Sequence, residues 1–135
     1  MANAMYAKGL EAFLTGQINW ENDAIKAVLI DFNLYTPNLN THQFLSDIPS
    51  GARVAISPAL TAKSALNGVA DAADITFPTV SGAQSEAVAL FKDTGSDVTS
   101  RLICLIDTAT GLPVTPGGGD ISLVWDNGIN KIFRL

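Results

Sequence analysis

At 135 residues the chain is long enough for one domain with a real core and too short for two ordinary ones. It is 47% hydrophobic and only 16% charged, against roughly 25% charged in typical soluble domains, so the composition predicts that something else covers part of its surface. The net charge is −5 and the eight Lys and Arg residues are scattered singly, which argues against nucleic acid as a partner, because phosphate binding needs clustered cations.

Taken in chain order, "AMYAKGLEAFLTG" places Tyr6, Leu10, Phe13 and Leu14 at helical spacing, with Gly16 where a helix would stop. This predicts a short amphipathic helix within residues 1–16, weakened by Gly9. The branched residues of "AIKAVLIDF" predict a strand over 24–32, which opens a β-rich body running to residue 135. Asn40 and Gln43 fit a capping box, so a helix of two turns at most is expected near 41–47, stopped by Pro49 and Gly51.

From Ala52 onward short strands alternate with turn chemistry: 52–57, 63–72, 74–80, 86–93, 100–107 and 120–133. The pairs Asn67-Gly68 and Asn127-Gly128 suit two-residue hairpin turns, whose central positions both need positive φ. The loops "DTGSDVTS" and "TATGLPVTPGGG" join strands, with three consecutive glycines at 117–119 as a flap or bulge. No internal repeat stands out. The expected fold is mainly β (α+β), an antiparallel β-sandwich or partly open barrel built from hairpins, with a short N-terminal helix, all in a single domain over 1–135.

If Asn127-Gly128 closes a two-residue loop, Trp125 faces Asn130, Leu123 faces Ile132 and Ile121 faces Arg134. One side then carries Ile121, Leu123, Trp125 and Ile132 as a core face, while Val124, Ile129 and Phe133 sit among Ser122, Asp126 and Lys131 on the other. In "RLICLID", Leu102, Cys104 and Ile106 oppose Ile103 and Leu105, so both sides are apolar. A solvated antiparallel sheet alternates more strictly. Either the chain's own helix and loops cover the second face, or a neighbouring subunit covers part of it.

Catalytic patterns are lacking. His42 is the only histidine, leaving no partner for a relay or a His-based metal cluster, and it reads as a cap or surface residue. Cys104 lies in an apolar strand, where packing fits better than reactivity. Asp93 and Asp97 lack the spacing and closing glutamate of a calcium loop, and "GGGD" ending at Asp120 is one copy, better read as a loop entering a strand. No enzyme activity, cofactor or metal is expected. The first residues lack a secretory signal pattern and no run approaches the roughly 20 apolar residues of a membrane span, so the expectation is a soluble product made in the cytoplasm.

The order of "KGLEAFLTGQINWENDAIKAVLID", "FLSDIPSGARVA", "GVADAADITFPTVSGAQSEAVALFKDTG" and "SRLICLIDTATGLPVTPGGGDISLVWDNGINKIF" resembles a family of small virion structural proteins of tailed bacteriophages and prophages. The resemblance spans nearly the whole chain, and its most distinctive stretches are "IDTATGLPVTP" and "WDNGINKIF". It implies a protein made in the host cytoplasm with a place in a virion, and leaves that place open; a capsid decoration (cementing) protein on the outside of the head is the leading expectation. Its partners would be the major capsid protein or other virion proteins, in many copies or as a homo-oligomer, with no nucleic acid and no membrane. A tail, baseplate or fibre-attachment component is the alternative, and a carbohydrate- or receptor-binding module a second. Tyr6, Leu10, Trp20, Val124, Ile129 and Phe133 are the candidate subunit-interface residues. Trp20, between helix and strand, is either an exposed aromatic or a staple holding the helix to the sheet.

Overall fold

The computed structural model describes residues 4–126, 128–129 and 131–135. Its elements are β1 (Ala4–Met5), α1 (Ala7–Leu14), β2 (Ile25–Ile30), β3 (Arg53–Ile56), β4 (Val69–Ala70), β5 (Ile75–Phe77), β6 (Ala87–Lys92), β7 (Arg101–Ile106), β8 (Ile121–Leu123) and β9 (Phe133–Arg134). Five of the strands form one antiparallel sheet in the order β1-β7-β6-β2-β3. The others pair as two short antiparallel ribbons, β4 with β9 and β5 with β8. The fold is mainly β (α+β), and the sheet does not close into a barrel.

The central strands β2, β6 and β7 are runs of Val, Ile, Leu, Ala and Phe because both of their faces are buried. Val88, Leu90, Cys104, Ile106, Ala27 and Leu29 belong to one core cluster, while Ala89, Phe91, Leu102, Leu105, Val28 and Ile30 belong to the other. The expected alternation along β7 fails at one point. Leu90 pairs with Cys104 but Phe91 pairs with Leu102, so Ile103 is an extra, bulged residue. The bulge sends Ile103 to the face of Cys104 and turns Leu102 to the face of Leu105. The second face is covered from within the chain, by Tyr35, Leu45, Ile48 and Ala52 of the β2–β3 connection together with Tyr6.

The helix docks on a different stripe from the expected one. Leu10 and Leu14 face solvent, Leu14 at 88% exposure, and the buried line is Tyr6, Gly9 and Ala12. Gly9 is the cause, because a Cβ there would lie 2.7 Å from the Leu102 carbonyl oxygen and 2.9 Å from that of Ile103. The helix backbone therefore approaches β7 more closely than any side chain permits. The helix expected near 41–47 reduces to a 3₁₀ turn over Leu45–Asp47. Its cap is Asp47, whose Oδ2 accepts the Gln43 and Phe44 N–H groups at 2.7 and 3.0 Å. Asn40 cannot serve, since the preceding segment is organised by Asn38, whose Oδ1 accepts the Asn40 and Thr41 N–H groups.

The stretches around the two Asn-Gly pairs differ in their pairing among the described residues. Asn67 (φ 55°, ψ 31°) and Gly68 (φ 78°) adopt the expected turn, Val69 N–H donates to Leu66 O, and Ser64 and Asp71 exchange both backbone bonds in the matching register. Among the described residues the pairs of the expected closing hairpin do not form. Leu123 pairs with Ile75 and Ile121 with Phe77, whereas Phe133 pairs with Ala70 and Arg134 with Val69. The two halves separate because Trp125 is held by Asp74 and Ala73, through its N–H to Asp74 Oδ1 (3.0 Å) and its Nε1 to Ala73 O (3.1 Å). The expected pairing of Trp125 with Asn130 lies outside the described residues, as does Asn127. Ile121, Leu123, Trp125 and Ile132 are buried as expected. Phe133 is buried too, following Lys131 at φ 43°.

Candidate functional site

The β4–β9 ribbon has two unlike faces. Ala70 and Phe133 point inward, where the Phe133 ring meets Trp20 edge-on at 5.1 Å and Phe13 at 5.9 Å. Val69 and Arg134 form the other face, and with Ser64, Leu66, Asn67, Asp71, Ile129 and Lys131 they line an open groove of about 380 Å³. Leu66 and Ile129 stand 76% and 83% exposed beside it. Lys131 reaches Asp71 at 3.7 Å, while the Arg134 guanidinium has no side-chain partner among the described residues. Two large aliphatic side chains and two cations, Lys131 and Arg134, thus share one concave surface on a chain whose net charge is negative.

The six interface candidates divide evenly. Tyr6, Trp20 and Phe133 are core residues of the chain itself, Trp20 at 6% exposure. Leu10, Val124 and Ile129 face solvent, and of these only Ile129 lines the groove. Trp20 is the staple: beyond the Phe133 contact, its Nε1 donates to Asp71 O at 3.3 Å. Leu66 and Arg134 were not anticipated. The one available signal was a large aliphatic residue directly before Asn67-Gly68, a position that a two-residue turn carries to the tip of its hairpin.

A polar strut, also unanticipated, links the helix start to the β2–β3 connection. The Tyr6 and Tyr35 hydroxyls lie 2.9 Å apart, and Tyr35 Oη lies 2.8 Å from His42 Nδ1. Asn38 N–H donates to the same Nδ1 at 3.2 Å, so that nitrogen is the acceptor, Tyr35 donates to it, and Tyr6 donates to Tyr35. Burial pushes both phenols above the usual tyrosine range, which keeps them neutral. The ladder N–H of Tyr6 to Ile103 O and that of Ala7 to Leu39 O close the same joint.

The acidic candidates are spoken for. Asp93 pairs with Lys26 at 2.7 Å and Asp97 with Arg53 at 3.3 Å, so they share no open site. Asp120 accepts the Thr79 N–H at 2.9 Å and organises the loop entering β8. Among the described residues no group of three His, Cys, Asp or Glu side chains is placed to hold a metal ion. Cys104 is buried, and desolvation raises its thiol well above the ordinary range.

The Lys26 hydrogen bond, with the Gly95 N–H, holds the Asp93 carboxyl below its ordinary value. At Asp47 burial acts upward, but the Gln43 and Phe44 N–H groups outweigh it and the carboxyl is again lowered. Carboxyls lowered on folding stabilise the protein above their unfolded value, about 4, and that contribution is lost as pH falls through the lower folded value. Melting temperature should therefore drop on acidification below about pH 4. Lys26→Met should lower it at neutral pH and make the acid drop shallower; an unchanged acid limb would refute the role given to Lys26.

Among the described residues no helix is long and apolar enough to cross a membrane. No protein-family model matches the chain, and no curated protein matches it.

Proposed function

We propose that the chain is a structural protein of a tailed-bacteriophage particle, acting as a capsid decoration protein that docks on the major capsid protein through the β4–β9 groove. The observation that carries this reading is that Leu66 and Ile129 stand exposed together around one groove that Arg134 and Lys131 also line. The sequence resemblance to small virion proteins supports it. An aliphatic partner surface bearing a carboxylate fits the groove, since Arg134 and Lys131 flank the two side chains in an otherwise acidic chain. A small patch suffices for such a role, because a symmetric lattice repeats the same site many times and contacts between neighbouring copies add to it.

All four Trp and Tyr side chains are buried, which removes the aromatic platform that a carbohydrate-binding module ordinarily presents. Quantitative mass spectrometry of purified virions tests the assignment. Hundreds of copies per particle are expected for a decoration protein, a dozen or fewer would move the assignment to the tail or baseplate, and none would overturn the virion reading. The double variant Leu66→Asp, Ile129→Asp should fold with a melting temperature within a few degrees of the parent, since both side chains are exposed. It should also fail to incorporate, and normal incorporation would remove the groove as the docking surface.

A further inference from the structure

The Asn67-Gly68 turn carries a second property, independent of any docking. Asparagine followed by glycine is chemically vulnerable. The Gly68 backbone nitrogen can attack Asn67 Cγ, forming a C–N bond as the side-chain amide C–N bond breaks and ammonia leaves with the Gly68 proton. Water then adds to either carbonyl carbon of the resulting five-membered imide and opens it to aspartate or isoaspartate. Glycine at the second position offers no Cβ to hinder the approach. Asn67 and Gly68 are both exposed, so water and base reach them.

The folded turn nevertheless forbids ring closure. The five-membered ring needs Cβ and the following nitrogen nearly eclipsed about the Cα–C bond, which places ψ at roughly −120° because substituents on a tetrahedral carbon are about 120° apart. Asn67 has ψ 31°, so its Cβ and the Gly68 nitrogen are nearly opposite each other. Rotating ψ to the reactive value would break Gly68 N–H to Ala65 O (3.2 Å) and Val69 N–H to Leu66 O, and would pull Gly68 O away from the Leu135 N–H that it accepts at 3.0 Å.

We infer that Asn67 is a fold-gated deamidation site, preserved while the turn stands and converted once the β4–β9 ribbon opens. Among the described residues that ribbon holds two residue pairs, so local opening is inexpensive relative to unfolding the five-stranded sheet. Conversion is one-way in its consequences. Isoaspartate adds a backbone carbon to a two-residue turn and so spoils the Ser64 to Asp71 register. Either product places a new carboxylate in the groove beside Lys131 and Arg134.

The test incubates the full chain in mildly alkaline buffer, folded or unfolded in guanidinium, and follows the peptide containing Asn67 by mass spectrometry with separation of the isoaspartyl form. Conversion should be at least about tenfold slower in the folded chain. In sub-denaturing guanidinium, Asn67 conversion should rise in step with amide exchange at Val69 and Leu135. Equal rates folded and unfolded, an unfolded chain that keeps Asn67 intact, or conversion that ignores ribbon opening would each overturn the inference.

Discussion

Replacing Gly9 with alanine is expected to lower stability by about 2 kcal/mol, although alanine gains about 1 kcal/mol in helix propensity over glycine. The new methyl would sit 2.7 Å from Leu102 O, 2.9 Å from Ile103 O and 3.0 Å from Ile103 Cα, all of them backbone atoms. None can yield cheaply. Ile103 is the bulged residue of β7 and its carbonyl accepts the Tyr6 N–H at 3.0 Å, while the Leu102 N–H donates to Gln43 O. Relief must come from the helix lifting away, which would pull at the β1 pairing of Met5 with Cys104 and draw the Tyr6 hydroxyl from Tyr35. Denaturant unfolding should show a lower midpoint with an unchanged slope. Leu10→Ala, on the outer side of the same helix, should stay within about 0.5 kcal/mol of the parent. A Gly9→Ala protein as stable as the parent would mean that the close helix–strand contact does not constrain the fold.

The contrast between these two positions marks how far the sequence could be read. Hydrophobic spacing singles out large residues, so it favours Leu10 and Leu14 for the buried stripe. The decisive residue there is the one with no side chain at all, and its role depends on a bulge in a strand more than ninety positions away. Strands β2, β6 and β7 were legible because burial on both faces leaves uninterrupted branched runs. Their coverage was not, since the choice between the chain's own loops and a neighbour is a tertiary fact. The fold resolves it for the main sheet in favour of Tyr35, Leu45, Ile48 and Ala52.

The two Asn-Gly pairs make the same point about register. Both satisfy the local chemistry of a tight turn, but among the described residues it is around Asn67-Gly68 that flanking residues remain each other's partners. Around Asn127-Gly128 the longer-range pairings of Leu123 with Ile75 and Phe133 with Ala70 prevail. This divergence also builds the groove. Because the last strand leaves its sequence neighbour to pair with β4, Arg134 and Ile129 come beside Leu66, three residues that no spacing rule connects.

Trp20→Ala should cost about 3–5 kcal/mol, the range for emptying a large aromatic from a core. Trp20 is 6% exposed, packs edge-on against Phe133, and gives its indole N–H to Asp71 O, so truncation leaves a cavity and takes from that carbonyl one of its two donors, the Ser64 N–H remaining. The damage should concentrate in the β4–β9 ribbon, whose inward face is the aromatic cluster of Phe13, Trp20 and Phe133. Amide protection at Val69 and Leu135 should fall before that of β6 and β7, which depend on other contacts. Trp20→Phe keeps an aromatic edge but loses the donor, and should recover more than half of the lost stability. An exposed sugar-stacking tryptophan behaves in the opposite way: its removal spares stability and abolishes glycan binding. A Trp20→Ala chain with an unchanged melting temperature would therefore dissolve the staple, and with it the ordered floor on which the proposed docking groove is built.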